Sequence, residues 1–133
     1  MSDKTSPWIE RHLPLARPGA RALDLACGAG RHVRLLLSRG YRVTAVDRDI
    51  GRLEPAPGLE AIQADLEDGS LWPLPGRSFD LIVVTNYLHR PLFAAIAAAL
   101  APRAVLLYET FAIGNEKYGK PGNPAFLLKD GEL

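Results

Sequence analysis

The sequence has only one cysteine, Cys27, among its 133 residues, so no disulfide can form within the chain. A reducing compartment is the simpler assumption for such a chain, and we expect a cytoplasmic protein. No apolar run approaches the ~18 residues that a membrane-spanning helix needs. The polar start, MSDKTSPWIE, does not resemble a signal peptide. The sequence therefore predicts no membrane association.

An excess of charge of either sign is also lacking, because 16 basic and 15 acidic side chains give a formal charge of +1. Binding to phosphate backbones needs clustered Lys and Arg, so nucleic acid is not favoured as the main ligand. No spacing of His, Cys and Asp indicates a metal site. The length is that of one domain with one core, and we treat residues 1–133 as a single domain. A small molecule remains the favoured ligand.

Short apolar stretches alternate with helix and turn signals along the chain, which is typical of alternating β and α units. The predicted strands are RALDLA at 21–26, YRVTAV at 41–46, LEAIQA at 59–64, FDLIVVT at 79–85 and AVLLY at 104–108. Helices are predicted over 30–39 and 91–100, with a single turn over 49–53 and a loop over 68–78. The sequence therefore predicts an α/β fold with a Rossmann-like, doubly wound parallel sheet of about five strands.

Polar residues stand where these strands end. They are Asp24 and the turn 26–30 for the first strand, Asp47 for the second, Asp65 for the third, Thr85 and Asn86 for the fourth, and Glu109 for the fifth. Ligands of such sheets bind beyond the carboxyl ends of the strands. We therefore expect the binding site among these residues.

The turn after the first strand contains Gly28 and Gly30, which permit a tight turn and a close approach of a ligand to the backbone. A dinucleotide site would have a third glycine where this chain has Val33, so the turn argues against NAD or FAD. The acid Asp24 stands four residues before Gly28. Its carboxylate could bind the ligand, or it could accept hydrogen bonds from backbone amides of the turn.

With this acid, the stretch DLACGAG resembles motif I of the class I S-adenosylmethionine-dependent methyltransferases. VTAVDRD is similar to the family's second motif, IQADLED to its adenine motif and FDLIVVTNYLHR to motif IV. The segments NYLHRPLF, YETFAIGNEKYGKPGNP and FLLKDGEL resemble the small-molecule branch that includes tellurite-resistance and thiopurine methyltransferases.

The resemblance implies S-adenosylmethionine as the cofactor and methyl transfer to a small-molecule acceptor. Asp47 would hold the ribose hydroxyls, Asp65 would accept from the adenine amine, and Leu66 would face the ring. The implied cofactor-binding set is Asp24, Ala26, Gly28, Gly30, Asp47, Arg48, Asp65, Leu66 and Asn86. Tyr87 and His89 are the candidate catalytic residues, Glu109 is a further candidate base, and no metal is expected. Two alternatives stay open: a module that binds the cofactor without catalysis, and a nucleotide- or NAD-binding enzyme.

The resemblance also predicts an antiparallel hairpin after the fifth strand, for which the chain is too short. Asp130 and the following GEL resemble the start of a helix, so the domain looks incomplete at its C-terminus. Without the hairpin, AVLLYET would be an exposed apolar edge. We expect a second subunit, giving a homodimer, or the tail 111–133 to cover this edge, and we favour the homodimer or partial disorder of the tail.

Overall fold

The computed structural model describes residues 5–16, 19–67, 71–85, 90–109 and 125–129. The helices are α1 (Pro7–His12), α2 (Arg31–Ser38) and α3 (Phe93–Ala98), with short 3-10 helices at Leu13–Leu15 and Arg90–Leu92. The strands are β1 (Arg21–Leu25), β2 (Arg42–Asp47), β3 (Leu59–Gln63), β4 (Phe79–Thr85), β5 (Leu100–Glu109) and β6 (Ala125–Lys129). Three candidate site residues, Asn86, Tyr87 and His89, lie outside the described residues, as does Asp130.

All six strands form one sheet in the order β3-β2-β1-β4-β5-β6. The pairs from β3 to β5 are parallel, which confirms the predicted doubly wound sheet, and β6 runs antiparallel to β5. β1 lies in the middle, and its residue Asp24 pairs with Ala45 of β2 and Val83 of β4. The carboxyl ends of β1, β2 and β3 therefore meet at one edge.

Helices cover both faces of the sheet, so the central strands are buried on both sides. On one face, Ile9 and Leu13 from the α1 segment and Leu36 of α2 pack over the sheet. On the other face, Ile96 of α3 and Leu74 of the loop before β4 do the same. β4, which carries the sequence FDLIVVT, is buried at every position except Asp80. The unbroken apolar run that predicted this strand reflects that double coverage.

The boundary between α3 and β5 differs from the prediction of a helix over 91–100 and a strand over 104–108. α3 ends at Ala98 and β5 already begins at Leu100. The pairing of β5 with β4 is irregular there, passing from Phe79↔Leu100 to Leu81↔Val105. Arg103 has a left-handed backbone with φ of 64° in this bulge. Pairing with β4 thus overrides the helical preference of the alanine-rich stretch.

The edge of the fifth strand is covered by residues 125–129 of the tail 111–133, which was one of the two covers expected from the sequence, although a homodimer or partial disorder of the tail was favoured. β6 pairs with β5 from Val105↔Lys129 to Glu109↔Ala125. The chain's own tail thus occupies the edge through which a homodimer was expected to form. Among the described residues, β6 is a single antiparallel strand after β5 and not the two-stranded hairpin of the resemblance.

We expect the backbone amides of residues 105–109 to exchange slowly in a monomer, because β4 and β6 pair with β5 on both sides. A variant without residues 125–129 should lose protection at about every second of these amides, since successive amides point to opposite neighbours. Hydrogen exchange combined with sedimentation measures both effects. Rapid exchange in the monomer, or protection that rises only with dimer formation, would contradict this arrangement.

Candidate functional site

A cleft of about 550 Å³ opens at the carboxyl ends of β1, β2 and β3. Its volume lies in the range of small-molecule sites, which is roughly 300–1,000 Å³. The lining residues come from the glycine turn and from the segments after β2 and β3: Ala26, Gly28, Asp47, Arg48, Asp49, Arg52, Ala64, Asp65, Leu66 and Glu67. Six of the nine predicted cofactor-binding residues are therefore brought together: Ala26, Gly28, Asp47, Arg48, Asp65 and Leu66.

The two glycines of the turn have different roles. Both have left-handed backbones, with φ of 58° at Gly28 and 90° at Gly30. A Cβ added at Gly28 would meet no atom within 4 Å, whereas one at Gly30 would lie 2.5 Å from Cδ2 of Leu53. Gly28 therefore leaves space on the cleft side of the turn, whereas a side chain at Gly30 would be strained by the left-handed backbone and would have to displace the end of Leu53.

The backbone of the turn is fixed by hydrogen bonds and carries some strain. The amide of Cys27 donates to the Val46 carbonyl at 3.1 Å, and the amide of Gly30 donates to the Cys27 carbonyl at 3.1 Å. Ala26, with φ of 56°, adopts the left-handed conformation without being a glycine. That conformation costs an L-residue roughly 1–2 kcal/mol. Strain of this kind concentrates at ligand-binding sites, which suits the position of Ala26 in the cleft wall.

Helix α2 begins directly after this turn. Its N-cap is Gly30, which makes no side-chain capping bond. The first-turn amides of a helix carry a partial positive charge and need acceptors from outside the helix. The start of α2 is therefore suited to an anionic group, such as a carboxylate, beside the turn.

The acids at the ends of β2 and β3 each make a local hydrogen bond and also line the cleft. Asp47 accepts from the amide of Asp49 at 3.1 Å, and Asp65 accepts from the amide of Glu67 at 2.9 Å. Each carboxylate has two oxygens and accepts several bonds, so both acids retain capacity for a ligand. The sequence reasoning missed Asp49, Arg52, Ala64 and Glu67, whose place in the wall follows from how the two segments fold.

Asp24 is buried in β1 with an exposure of 1%. Neither of its carboxylate oxygens has a hydrogen-bond partner among the residues that the structure describes, which include the whole turn, so the alternative role of satisfying the turn's amides is wrong. Burial raises the pKa of Asp24 to about 8. The charge of Arg31 acts to lower this pKa, and the charge of Asp47 acts to raise it. The carboxyl group is therefore largely neutral at pH 7 in the ligand-free protein.

A second polar cluster lies at the ends of β4 and β5 and includes Thr85 and Glu109, which the sequence had singled out. The Ser6 amide donates to Nε2 of His32 at 3.0 Å, and the Ser6 hydroxyl donates to Glu109. Nδ1 of His32 is 3.5 Å from Oγ1 of Thr85. Burial, aided by Arg31, lowers the pKa of His32 to about 4. His32 is thus a neutral, buried residue that ties the N-terminal segment to the sheet.

Cys27 lies in the turn but is unsuited to nucleophilic chemistry. Burial, together with Asp24 and Asp47, raises the pKa of its thiol to about 12. The nucleophilic form of cysteine is the thiolate. Cys27 is therefore a small buried side chain of the turn.

Within the described parts of the chain, no three His, Cys, Asp or Glu residues come together as metal ligands would. No helix in those parts is both long and apolar enough to cross a bilayer.

Comparison with known proteins places this geometry among methyltransferases. The profile of a family described as "Methyltransferase domain" matches residues 22–103. The malonyl-[acyl-carrier protein] O-methyltransferase of Serratia marcescens is 32% identical over an alignment of 109 residues that covers 75% of this chain and 42% of that protein.

Solved structures agree with this comparison. An S-adenosylmethionine dependent methyltransferase from Mesorhizobium loti superposes with a TM-score of 0.67 and 28% identity, over 79% of this chain and 52% of that one. A TehB-like SAM-dependent methyltransferase from Corynebacterium glutamicum gives a TM-score of 0.65 and 23% identity, over 82% and 64% of the two chains. The chain thus spans about half the length of the first of these relatives.

We expect Asp24→Asn to stabilise the ligand-free protein at pH 8. The folded state keeps a proton on Asp24 up to a pKa of about 8, whereas an unfolded aspartate loses it near 3.8. The free energy of unfolding of the native protein therefore falls as pH rises between these values, by up to about 1.4 kcal/mol per pH unit. Asparagine removes this slope.

Urea unfolding at a series of pH values from 6.5 to 8 measures the effect. This range is chosen because His32, with its lowered pKa, reduces the free energy of unfolding only at lower pH, and does so equally in both proteins. The exposed Glu54, changed to Gln, is the control and should leave the slope unchanged. Parallel curves for native protein and Asp24→Asn would contradict the burial of a neutral carboxyl group.

Proposed function

Because this chain belongs to the methyltransferase-domain family, we propose that it binds S-adenosylmethionine and transfers the methyl group to a small-molecule acceptor. The observation that carries the proposal is the cleft itself. It brings the open side of Gly28 together with Asp47 and Asp65, which come from three different strand ends. The single cysteine supports a cytoplasmic location.

The adenosine part of the cofactor is assigned to the β2 and β3 side of the cleft. The Asp47 carboxylate accepts from the two ribose hydroxyls, and Asp65 accepts from the adenine amine, with Leu66 against the ring. Hydrogen bonds to a charged acceptor are the stronger kind. Arg48 and Arg52 line the same wall and offset the local negative charge of the acids.

The amino-acid part of the cofactor is assigned to the β1 side. Gly28 leaves room for it, and the uncapped start of α2 suits its carboxylate. The partnerless Asp24 carboxyl group fits a cationic group nearby, because an ammonium group would compensate its burial. Asn86 remains a predicted neighbour of this part.

When bound, the cofactor supplies a methyl group activated by a sulfonium. The chain's own contribution is to orient the reactants and to exclude water, and orientation alone lowers such barriers by roughly 7–11 kcal/mol. The acceptor belongs beyond the end of β4, next to the segment that holds Tyr87 and His89. For an alcohol or amine acceptor, one of these two residues would take the proton.

Cofactor binding without catalysis is the second candidate, since the described residues that line the cleft suit a cofactor, whereas the candidate bases Tyr87 and His89 lie outside the described part of the chain. The chain covers 42% of the Serratia relative and 52% of the Mesorhizobium structure. Mass spectrometry of products from thiols, selenite and tellurite separates the two. Methylated product identifies the enzyme, and cofactor binding without product identifies the module.

A dinucleotide ligand is disfavoured at Val33, which is 2% exposed and packed into the core where such a site would need a glycine. Thermal shift with S-adenosylhomocysteine and with NAD compares the two ligands, and stabilisation by NAD alone would overturn the proposed function. A ligand at 100 times its Kd raises the free energy of unfolding by about 2.7 kcal/mol.

Gly28→Ala is expected to weaken the binding of S-adenosylhomocysteine at least tenfold, because the new methyl group would occupy space on the cleft side of the turn. Gly40→Ala is the matched control. Gly40 also has a left-handed backbone, with φ of 86°, and open space around its added Cβ, but it does not line the cleft. Both variants should lose about 1 kcal/mol of stability from backbone strain. Equal affinities of the two variants would remove Gly28 from the binding site.

Asp47→Ala should weaken binding of S-adenosylhomocysteine by at least tenfold, or about 1.4 kcal/mol, since the ribose hydroxyls lose a charged acceptor. Glu54→Ala, an exposed acid outside the cleft wall, controls for the change in net charge. Isothermal calorimetry gives both affinities. An unchanged Kd for Asp47→Ala would reject the assignment of the ribose.

A further inference from the structure

Ser6 is anchored at the ends of β4 and β5 by two hydrogen bonds to residues far along the chain. Its backbone amide donates to Nε2 of His32 at 3.0 Å, and its hydroxyl donates to the Glu109 carboxylate. The same hydroxyl oxygen accepts from the amide of Ile9 at 3.2 Å and so caps α1. The start of α1 is therefore held on the sheet through Ser6.

The bond from the Ser6 amide fixes which ring nitrogen of His32 carries the proton. A backbone amide can only donate, so Nε2 must present a lone pair, and the proton of the neutral ring is then on Nδ1. Nδ1 lies 3.5 Å from Oγ1 of Thr85, the last residue of β4, which can accept from it. His32 thus joins Ser6 to the end of β4 only in this neutral form.

A second proton on His32 is incompatible with the Ser6 contact. It would place an N–H on Nε2 opposite the amide N–H of Ser6, and two donors 3.0 Å apart repel each other. The charged ring would also be buried, since His32 is 2% exposed. Burial accordingly lowers the pKa of His32 from its ordinary value of 6.5 to about 4. Protonation therefore favours an arrangement in which the Ser6 amide has left the ring and water reaches it.

The charges on the two helices do not change this conclusion. Arg31, the neighbour of His32 in α2, disfavours the charged ring. Glu10 of α1 favours it, but its effect is smaller than those of burial and Arg31. The net effect on His32 is therefore against a second proton while α1 is docked.

The acids on the underlying face of the sheet are engaged elsewhere. Asp24 of β1 is largely neutral at pH 7 because burial raises its pKa to about 8. Asp47 of β2 accepts from the amide of Asp49, and Glu109 of β5 accepts from Ser6. β4 contributes only uncharged residues to this face in its described part: Leu81, Val83 and Thr85.

We infer that the bond between Ser6 and His32 is a pH-sensitive latch, and that protonation of His32 releases residues 5–12 from the ends of β4 and β5. Ile9 is fully buried in the docked form, so the released form is a minor state at pH 7 whose population grows as the pH falls. Release exposes His32 and Glu109, the two partners of Ser6, to water. The latch concerns the N-terminal segment and does not depend on the proposed function.

The sign and the size of the effect follow from linkage. His32 has a pKa of about 4 in the docked form, against 6.5 for a hydrated histidine. The docked form is therefore fully favoured above about pH 6.5 and loses stability relative to the released form below it. Between the two values, the ratio of released to docked molecules rises by up to about tenfold for each unit by which the pH falls.

The exchange of the Ser6 amide hydrogen reports the latch, because this hydrogen is bonded to Nε2 of His32. NMR at pH values from 7 to 5 gives its protection factor, from which the intrinsic pH dependence of exchange is removed. For the native protein we expect the factor to fall about sevenfold from pH 6 to 5. Nitrogen chemical shifts of the His32 ring at pH 7 should show the proton on Nδ1.

His32→Gln tests whether this histidine is the titrating group. Glutamine offers an uncharged oxygen to the Ser6 amide and does not titrate, so the protection factor should stay constant from pH 7 to 5. His12→Gln is the matched control. His12 lies in α1 and bonds to the Trp8 carbonyl instead, so this variant should keep the native fall in protection.

The outcomes are distinct. Protection at Ser6 that stays constant with pH in the native protein, or that falls equally in His32→Gln, overturns the latch. Protection equal to that of Val83 in β4 at every pH also overturns it, since the segment would then open only by global unfolding. A proton on Nε2 at pH 7 overturns it without any variant. Each of these results leaves the cleft and the proposed function untouched, because binding of S-adenosylhomocysteine tests those separately. A fall that occurs in the native protein and in His12→Gln but not in His32→Gln supports the latch.

Discussion

The position of β1 between β2 and β4 is the constraint on which the candidate site depends. The chain leaves the carboxyl end of β1 toward β2 and the carboxyl end of β4 toward β5, so these two connections diverge and a crevice opens beside the end of β1. The glycine turn lies at this crevice because it follows β1 directly. Asp47 and Asp65 reach the same crevice because β2 and β3 run parallel to β1 and end at the same edge.

Local patterns were sufficient to predict the parallel part of the sheet, because each of its strands is a short apolar run between turn residues. β4 was predicted with its observed bounds, Phe79–Thr85. The start of β5 was predicted too late, since the alanine-rich sequence before it prefers a helix and only pairing with β4 makes it a strand. β6 was not predicted as a strand, because it is formed by pairing with residues 105–109 of β5, which the local sequence of residues 125–129 does not indicate.

The candidate site shows the same division between local and distant information. Asp47, Asp65 and the glycine turn stand at strand ends, so their meeting follows from the topology. Asp49 and Arg52 enter the wall because the segment after β2 turns back without a crossover helix. The sequence predicted a single turn over 49–53 there, but not that its side chains would line the cleft. The lack of a hydrogen-bond partner for Asp24 among the described residues was not predictable either. It depends on which polar groups all the neighbouring elements place around the carboxyl group.

The contacts of Ser6 have a consequence for the order in which the chain folds. Ser6 bonds to His32, 26 residues later, and to Glu109, 103 residues later. During synthesis the first helix therefore leaves the ribosome long before the last of its partners exists. At about 5–20 residues per second, Ile9, which is fully buried in the finished protein, stays exposed for several seconds. The segment of Ser6 and α1 thus obtains its full set of contacts only after β5 has emerged.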